Sequence, residues 1–349
     1  MMKRVVVYLL VAGLMLPAAT ACGASVSQAT LLFLKIAPGA RPSGMGEAFV
    51  ALSDDASATW WNPAGLGFQH GRQFTMMYVR WLPQFNLSDL YYAYLSGVYE
   101  VPEWGTFGGN LIFLNLGETQ RTDEQARTLG TFSSYEIAVT GTYGAQVNNH
   151  LAMGVGLKLA YSHLSDQGAG EERGSGTATA VAADVGLLYK TPFLRGLSLG
   201  MNLSNMGPKV SYIDRAQADP LPTNLKVGFA YKILDQEYNK VTIVSDLNKE
   251  IVRKYNTGRT DEFYEALFTA WQDEALLKTI IWNVGGEYWY STLVGLRAGY
   301  WNDHLGKVFP YTFGVSLKYS SYQFDFSYLT AGQNHPLTDT MRYSLTVQL

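Results

Sequence analysis

Few residues in this 349-residue chain have the types and spacings that do chemistry. The five histidines, His70, His150, His163, His304 and His335, fall in separate segments, with no H-E-x-x-H pair and no cysteine besides Cys22. A zinc site needs such a cluster. The serines gather in turns or on small-residue faces. A hydrolase assembled from Ser, His and an acid on neighbouring strands would leave no linear motif, and it stands as a third reading behind two that are not enzymatic. The sequence predicts no catalytic residue, no metal and no cofactor.

Two polar clusters remain. Asp54 and Asp55 could offer oxygens to Ca²⁺, but hard cations take several oxygen ligands and no further acidic spacing follows. A turn in which these carboxylates accept backbone N–H bonds is expected instead. Asn62-Pro63 reads as a second turn, because proline fixes φ and pushes the preceding residue toward extended geometry. Farther on, Asp184, Glu287 and Asp325, with Lys158, Arg297 and Lys318, share the small-residue faces of alternating segments. Charges there are expected to pair with one another or with another part of the chain.

Alternating segments dominate the sequence after Arg72. Leu151 to His163 sets Leu151, Met153, Val155, Leu157, Leu159 and Tyr161 on one side, and Ala152, Gly154, Gly156, Lys158, Ala160 and Ser162 on the other. A one-residue slip would turn the whole apolar set to the wrong face. Fourteen such segments run from Gln73 to Trp81 through to Met341 to Leu349, each near the 9 to 11 residues a tilted membrane strand needs. Composition agrees: charged residues are 16% against roughly 25% in soluble domains, while 23 Tyr and 35 Gly suit lipid-facing strands with interfacial anchors. A net charge of −3 gives no nucleic-acid footprint.

Met1 to Ala21 reads as a signal peptide: Lys3-Arg4, an apolar core from Val5 to Leu16, then Ala19-Thr20-Ala21. Cys22 follows at once, leaving open whether it carries lipid or is inert. No run of 18 uncharged apolar residues follows, so crossing by helices is excluded. The expected fold class is all-β, a 14-stranded antiparallel transmembrane β-barrel in the outer membrane of a Gram-negative (diderm) bacterium. Short links alternate with long ones from the second strand onward, the pattern of periplasmic turns and external loops. Among the long ones, Gly168 to Gly176 reads as a solvated tip. Thr260 to Lys278 reads as an external helix of four to five turns capping the barrel mouth. Its apolar stripe, Phe263, Leu267 and Trp271, is the candidate partner-binding surface. The final segment alternates Tyr343, Leu345, Val347 and Leu349, the form of signal that barrel assembly recognises.

The stretch before the strands differs: residues 33–71 are small, apolar and turn-rich. Gly44 to Leu66 reads G-M-G-E-A-F-V-A-L-S-D-D-A-S-A-T-W-W-N-P-A-G-L. It resembles the N-terminal signature of the PorV/PorQ family, a branch of the FadL-like (long-chain fatty acid transporter) outer-membrane proteins. G-G-E-Y-W-Y at Gly285 to Tyr290 and L-R-A-G-Y at Leu296 to Tyr300 resemble that family's C-terminal half. The resemblance implies a lumenal hatch at residues 33–71 inside a barrel spanning 72–349, with Gly44, Met45, Gly46, Asp54, Asp55, Asn62, Pro63, Ala64 and Gly65 as hatch residues. Physical reasoning adds that Trp60 and Trp61 supply bulk to close the pore.

The resemblance also implies partners besides outer-membrane lipid. For a PorV-type role in type IX secretion they are cargo C-terminal domains and other secretion components. For FadL-type transport they are hydrophobic small molecules. Deleting Gly44 to Gly65 should raise pore conductance in planar bilayers without abolishing assembly; unchanged conductance would place the segment outside the lumen.

Overall fold

The computed structural model describes residues 29–122, 127–165, 176–212, 218–255, 257–272 and 276–349. The expected signal peptide, Cys22 and nearly all of the Gly168 to Gly176 tip lie outside the described residues. Fourteen strands form one closed antiparallel barrel, each paired with its sequence neighbours, and β1 (Arg72–Arg80) closes on β14 (Thr340–Gln348). Between them run β2 (Tyr91–Val101), β3 (Gly105–Thr122), β4 (Thr128–Gln146), β5 (Leu151–Ser165), β6 (Gly176–Lys190), β7 (Leu197–Met206), β8 (Asn224–Asp235) and β9 (Asn239–Glu250). β10 (Ile280–Tyr290), β11 (Val294–Asn302), β12 (Tyr311–Tyr319) and β13 (Tyr322–Thr330) complete the wall. Closure leaves no strand edge unpaired around the ring, the condition for crossing lipid. Among the described residues no helix is long and apolar enough to cross a membrane.

Burial follows the pattern legible in β5. Met153, Val155, Leu157 and Leu159 are exposed, while Ala152, Gly154, Gly156, Lys158 and Ala160 are buried in the lumen. The barrel is therefore apolar outside and small or polar inside, inverted relative to a soluble core. At the long-loop end an aromatic row runs across five strands through Tyr78, Tyr91, Phe113 and Tyr135 to Tyr161 and His163, with ring centroids 5.2 to 6.2 Å apart along it. Such a girdle marks a membrane interface.

Two sequence expectations need correction. The long loop expected at Gly117 to Ser133 is mostly a continued hairpin: Gly117↔Ser134 through Thr122↔Thr128 are paired. Above the lipid neither strand face has to be apolar, so the alternation that reports a strand disappears while the pairing continues. The external helix spans only Phe263–Thr269, two turns rather than four to five, and a separate 3-10 turn covers Leu276–Thr279. Glu262 caps it through a reciprocal capping box with Glu265.

The lipid-facing assignment can be measured. Leu157→Arg, midway along β5, should cost about 2–4 kcal/mol in denaturant unfolding from vesicles, whereas Leu151→Arg near the short-turn end should cost about 0–1 kcal/mol. Equal costs at the two positions would contradict the outward assignment.

Candidate functional site: the lumenal hatch

Residues 31–68 fold inside the barrel as short turns. A helix covers Ala40–Gly44, another covers Ala58–Trp61, and 3-10 turns span Leu32–Lys35 and Pro63–Phe68. Each is too short to be stable alone, so the wall must hold them. Asn62 caps the Pro63 turn by accepting from the Ala64 N–H at 3.1 Å. Its amide nitrogen also donates to the Val50 carbonyl (2.8 Å) and to the Leu187 carbonyl of β6 (3.0 Å). This one side chain begins one hatch turn and ties it both to another part of the hatch and to the barrel.

Backbone lies directly against backbone across the hatch–wall boundary. A Cβ at Gly299 of β11 would sit 2.1 Å from the Gly46 nitrogen, and one at Gly154 of β5 would sit 2.2 Å from the Pro63 carbonyl carbon. Gly200 and Gly285 face the Val50 and Met45 backbone in the same way, and Gly186 faces the Asn62 side-chain oxygen. Gly46 itself has φ of +65°, donates to Thr312 Oγ1 at 2.9 Å and accepts from Asn283 Nδ2 at 2.6 Å. Gly65 packs so tightly on Ser53 that a Cβ would stand 2.1 Å from its carbonyl oxygen.

Charge completes the seat. Arg41 makes a two-pronged pair with Glu287 of β10, both contacts at 2.9 Å, and its third nitrogen reaches Asp54 (2.6 Å) and Asp55 (3.1 Å). Arg297 of β11 joins Glu287 at 2.6 Å and Asp325 of β13 at 3.4 Å. On the opposite wall Lys158 pairs with Asp184 at 3.1 Å. Of the six lumenal charges singled out in sequence, Lys318 stands apart from these pairs and lines a cavity at the short-turn end. Burial alone lowers the Arg41 pKa, yet the fields of Asp54, Glu287 and Asp55 override it and hold the guanidinium well above its ordinary value. Burial pushes the Asp55 carboxyl up, with Arg41 pulling the other way.

Asp54 and Asp55 thus belong to one ionic cluster, and Asp55 also accepts the Ser57 N–H at 2.9 Å, forming the expected turn. Trp61 is fully buried, donates to the Pro38 carbonyl at 3.0 Å and meets Trp60 edge to face at 4.8 Å. The pair forms the hatch's own core, and the Lys226 ammonium lies 4.3 and 4.2 Å from the two ring centroids.

Three wall contacts were not singled out in sequence. Asp246 accepts the N–H groups of Phe49 and Val50 at 2.7 and 2.9 Å. Arg342 donates to the Ala37 carbonyl at 3.0 Å and meets Glu47 at 3.1 Å. Lys226 is the third. All three carried a readable signal, a charge on the lumenal side of an alternating strand.

Phe263, Leu267 and Trp271 lie on and just after the external helix, away from the hatch. Leu267 packs with Ala266 and Ala270 against Leu203, Leu225 and Ile251, while Trp271 is exposed. Two cavities flank the hatch: one of ≈ 460 Å³ at the short-turn end, and one of ≈ 190 Å³ on the loop side lined by Lys35, Glu47, Lys226, Asn248 and Asp303.

A closed barrel of fourteen antiparallel strands, apolar outside and filled by its own N-terminal segment, has the architecture of an outer-membrane β-barrel. Solved structures of that fold include the toluene transporter TbuX of Ralstonia pickettii, at 14% identity and TM-score 0.52, covering 89% of this chain and 98% of that one. The toluene transporter TodX of P. putida matches at 15% and 0.54, covering 89% and 98%. A FadL homologue of Pseudomonas aeruginosa matches at 11% and 0.51, covering 88% and 97%. At such identities the likeness is one of fold.

The chain belongs to the PorV family: the family model described as type IX secretion system protein PorV matches residues 21–256. The motifs at Gly285 to Tyr290 and Leu296 to Tyr300 lie beyond the matched part. No curated protein matches.

If the ionic cluster seats the hatch, Glu287→Gln leaves Arg41 and Arg297 buried beside a neutral group. The expected cost is about 3–5 kcal/mol, read as faster hydrogen exchange across residues 40–55 with β5 still protected. Unchanged exchange would show that the cluster does not hold the hatch in place.

Proposed function

We propose that this chain is a non-enzymatic factor of type IX protein secretion, exported by its N-terminal signal peptide to the outer membrane. It binds the C-terminal domains of cargo proteins at its external loops and passes them to the translocon and attachment machinery. Membership of the PorV family carries this reading. The hatch supports it physically: a lumen occupied by backbone in contact with backbone is a poor conduit, which moves the work of the protein to its ends. At the loop end an open groove of ≈ 900 Å³ runs between the β7–β8 and β9–β10 loops, lined by Lys209, Asp219, Lys254, Arg259 and Glu262 among others. Its mixed charges suit a polar protein surface.

The competing reading is passage of hydrophobic small molecules, as the names of the toluene transporters suggest for those proteins. Charged side chains in both lumenal cavities oppose it, because an apolar solute gains nothing from entering them.

In a host with type IX cargo, deleting the gene should leave cargo proteins unattached at the surface, and the purified barrel should capture an isolated cargo C-terminal domain. Normal attachment would refute the secretory role. Loss of hydrocarbon uptake with attachment intact would support the channel instead.

A further inference from the structure

The external helix does not cap the barrel mouth. Its buried face, Ala266 and Ala270 with the flanking Leu267, packs on Leu203, Leu225 and Ile251. In β7 the lumenal positions are Gly200 and Asn202, the latter donating to the Trp61 carbonyl of the hatch at 2.9 Å. Leu203 therefore points away from the lumen, in line with exposed Leu199 and Met201. Leu225 is its register partner, in line with exposed Val227. Ile251 continues the outward row of β9 beyond Leu247, which is 50% exposed. The helix thus lies against the outside of the wall, on side chains belonging to the lipid-facing rows.

Its depth follows from strand length. β7 has 10 residues, about the minimum that crosses the hydrocarbon at the usual tilt. Leu203 is three residues before its loop-side end at Met206, so a helix resting on Leu203 sits at the level of the outer leaflet and not above it. The opposite face of the helix presents Tyr264 and Phe268, one turn apart, followed by Trp271, with exposures of 56%, 77% and 41%. Aromatic residues exposed at that depth are the composition of an interfacial anchor. The Trp271 indole N–H is satisfied within the helix, donating to the Leu267 carbonyl at 2.9 Å, which leaves its ring free to enter an apolar medium at little polar cost.

We infer that the Phe263–Thr269 helix is a membrane-interface anchor, whose Tyr264, Phe268 and Trp271 face binds the acyl-chain and headgroup boundary of the outer leaflet. The partner is lipid because the patch is continuous with the lipid-facing band of β7 to β9. The inference rests on the chain being an outer-membrane barrel and is independent of the secretory role. Its consequence is that the β9–β10 loop is tethered to the bilayer, which holds one wall of the charged groove at a fixed height above the membrane.

Fluorophore quenching in vesicles tests it. In a Cys22→Ser background, Phe268→Cys carries an environment-sensitive label, with Leu247→Cys as the lipid-facing reference and Gln333→Cys as the aqueous loop reference. The barrel is inserted into phosphatidylcholine–phosphatidylethanolamine vesicles with or without headgroup- or shallow-chain-nitroxide lipid, and iodide is added from the loop side. The label at 268 should lose fluorescence to the nitroxide lipid as the 247 reference does and resist iodide. A label that follows the 333 reference would place the helix in water and overturn the inference. So would a label quenched by iodide in pure lipid and shielded only when cargo C-terminal domain is added, which would make the face a protein surface. All three substituted positions are exposed, so each variant retains the packing of the parent.

Discussion

Backbone laid against backbone is the contact on which this structure depends. Small barrels fill their interior with side chains alone, whereas larger ones enclose a cavity or a channel. Here the N-terminal segment occupies that space, and it can come close enough only where the wall has no Cβ. Gly154, Gly186, Gly200, Gly285 and Gly299 form such seats on five strands, and Gly46 answers them from the hatch. Neither surface can be altered independently of the other, because a single added carbon at a seat would fall within 2.4 Å of a hatch atom.

That proximity makes the buried charges tenable. Glu287, Asp246 and Arg342 point into the lumen from three different strands, and each is at most 5% exposed. Uncompensated, any of them would be strongly unfavourable. Arg41 of the hatch joins Glu287, the Phe49 and Val50 amides meet Asp246, and Arg342 meets the Ala37 carbonyl and Glu47. The hatch supplies partners for the wall's charges, while the wall supplies the tertiary contacts that short helices and turns lack. Steric fit and charge pairing therefore act in the same direction, toward a seated hatch with a cavity on each side. The longest strands and loops stand at one end of the filled barrel.

Much of this was legible from residue types. Period-two alternation located all fourteen strands, because a wall between lipid and a filled lumen imposes opposite demands on successive side chains. It also assigned the two faces of β5 correctly. The signal failed where that demand ends. Glu118 to Thr122 and Thr128 to Ser133 pair as strand without alternating, since both of their faces lie beyond lipid. The helix was overextended because Leu276 and Leu277 prolong its apolar spacing after the hydrogen-bonded turns have stopped at Thr269.

By itself the sequence determined the barrel, its strand count, six of the inward charges and a compact N-terminal segment unlike the rest. These are properties of local pattern, which the medium on each side of a strand writes directly into the residue order. Only the tertiary structure decided which charges meet, that Asp246 holds two hatch amides, and that Ala266 and Ala270 rest on the outside of β7 to β9 and not over the mouth. Such pairings depend on register and curvature around a closed ring, where residues 196 to 305 positions apart become neighbours, and no local pattern encodes that distance.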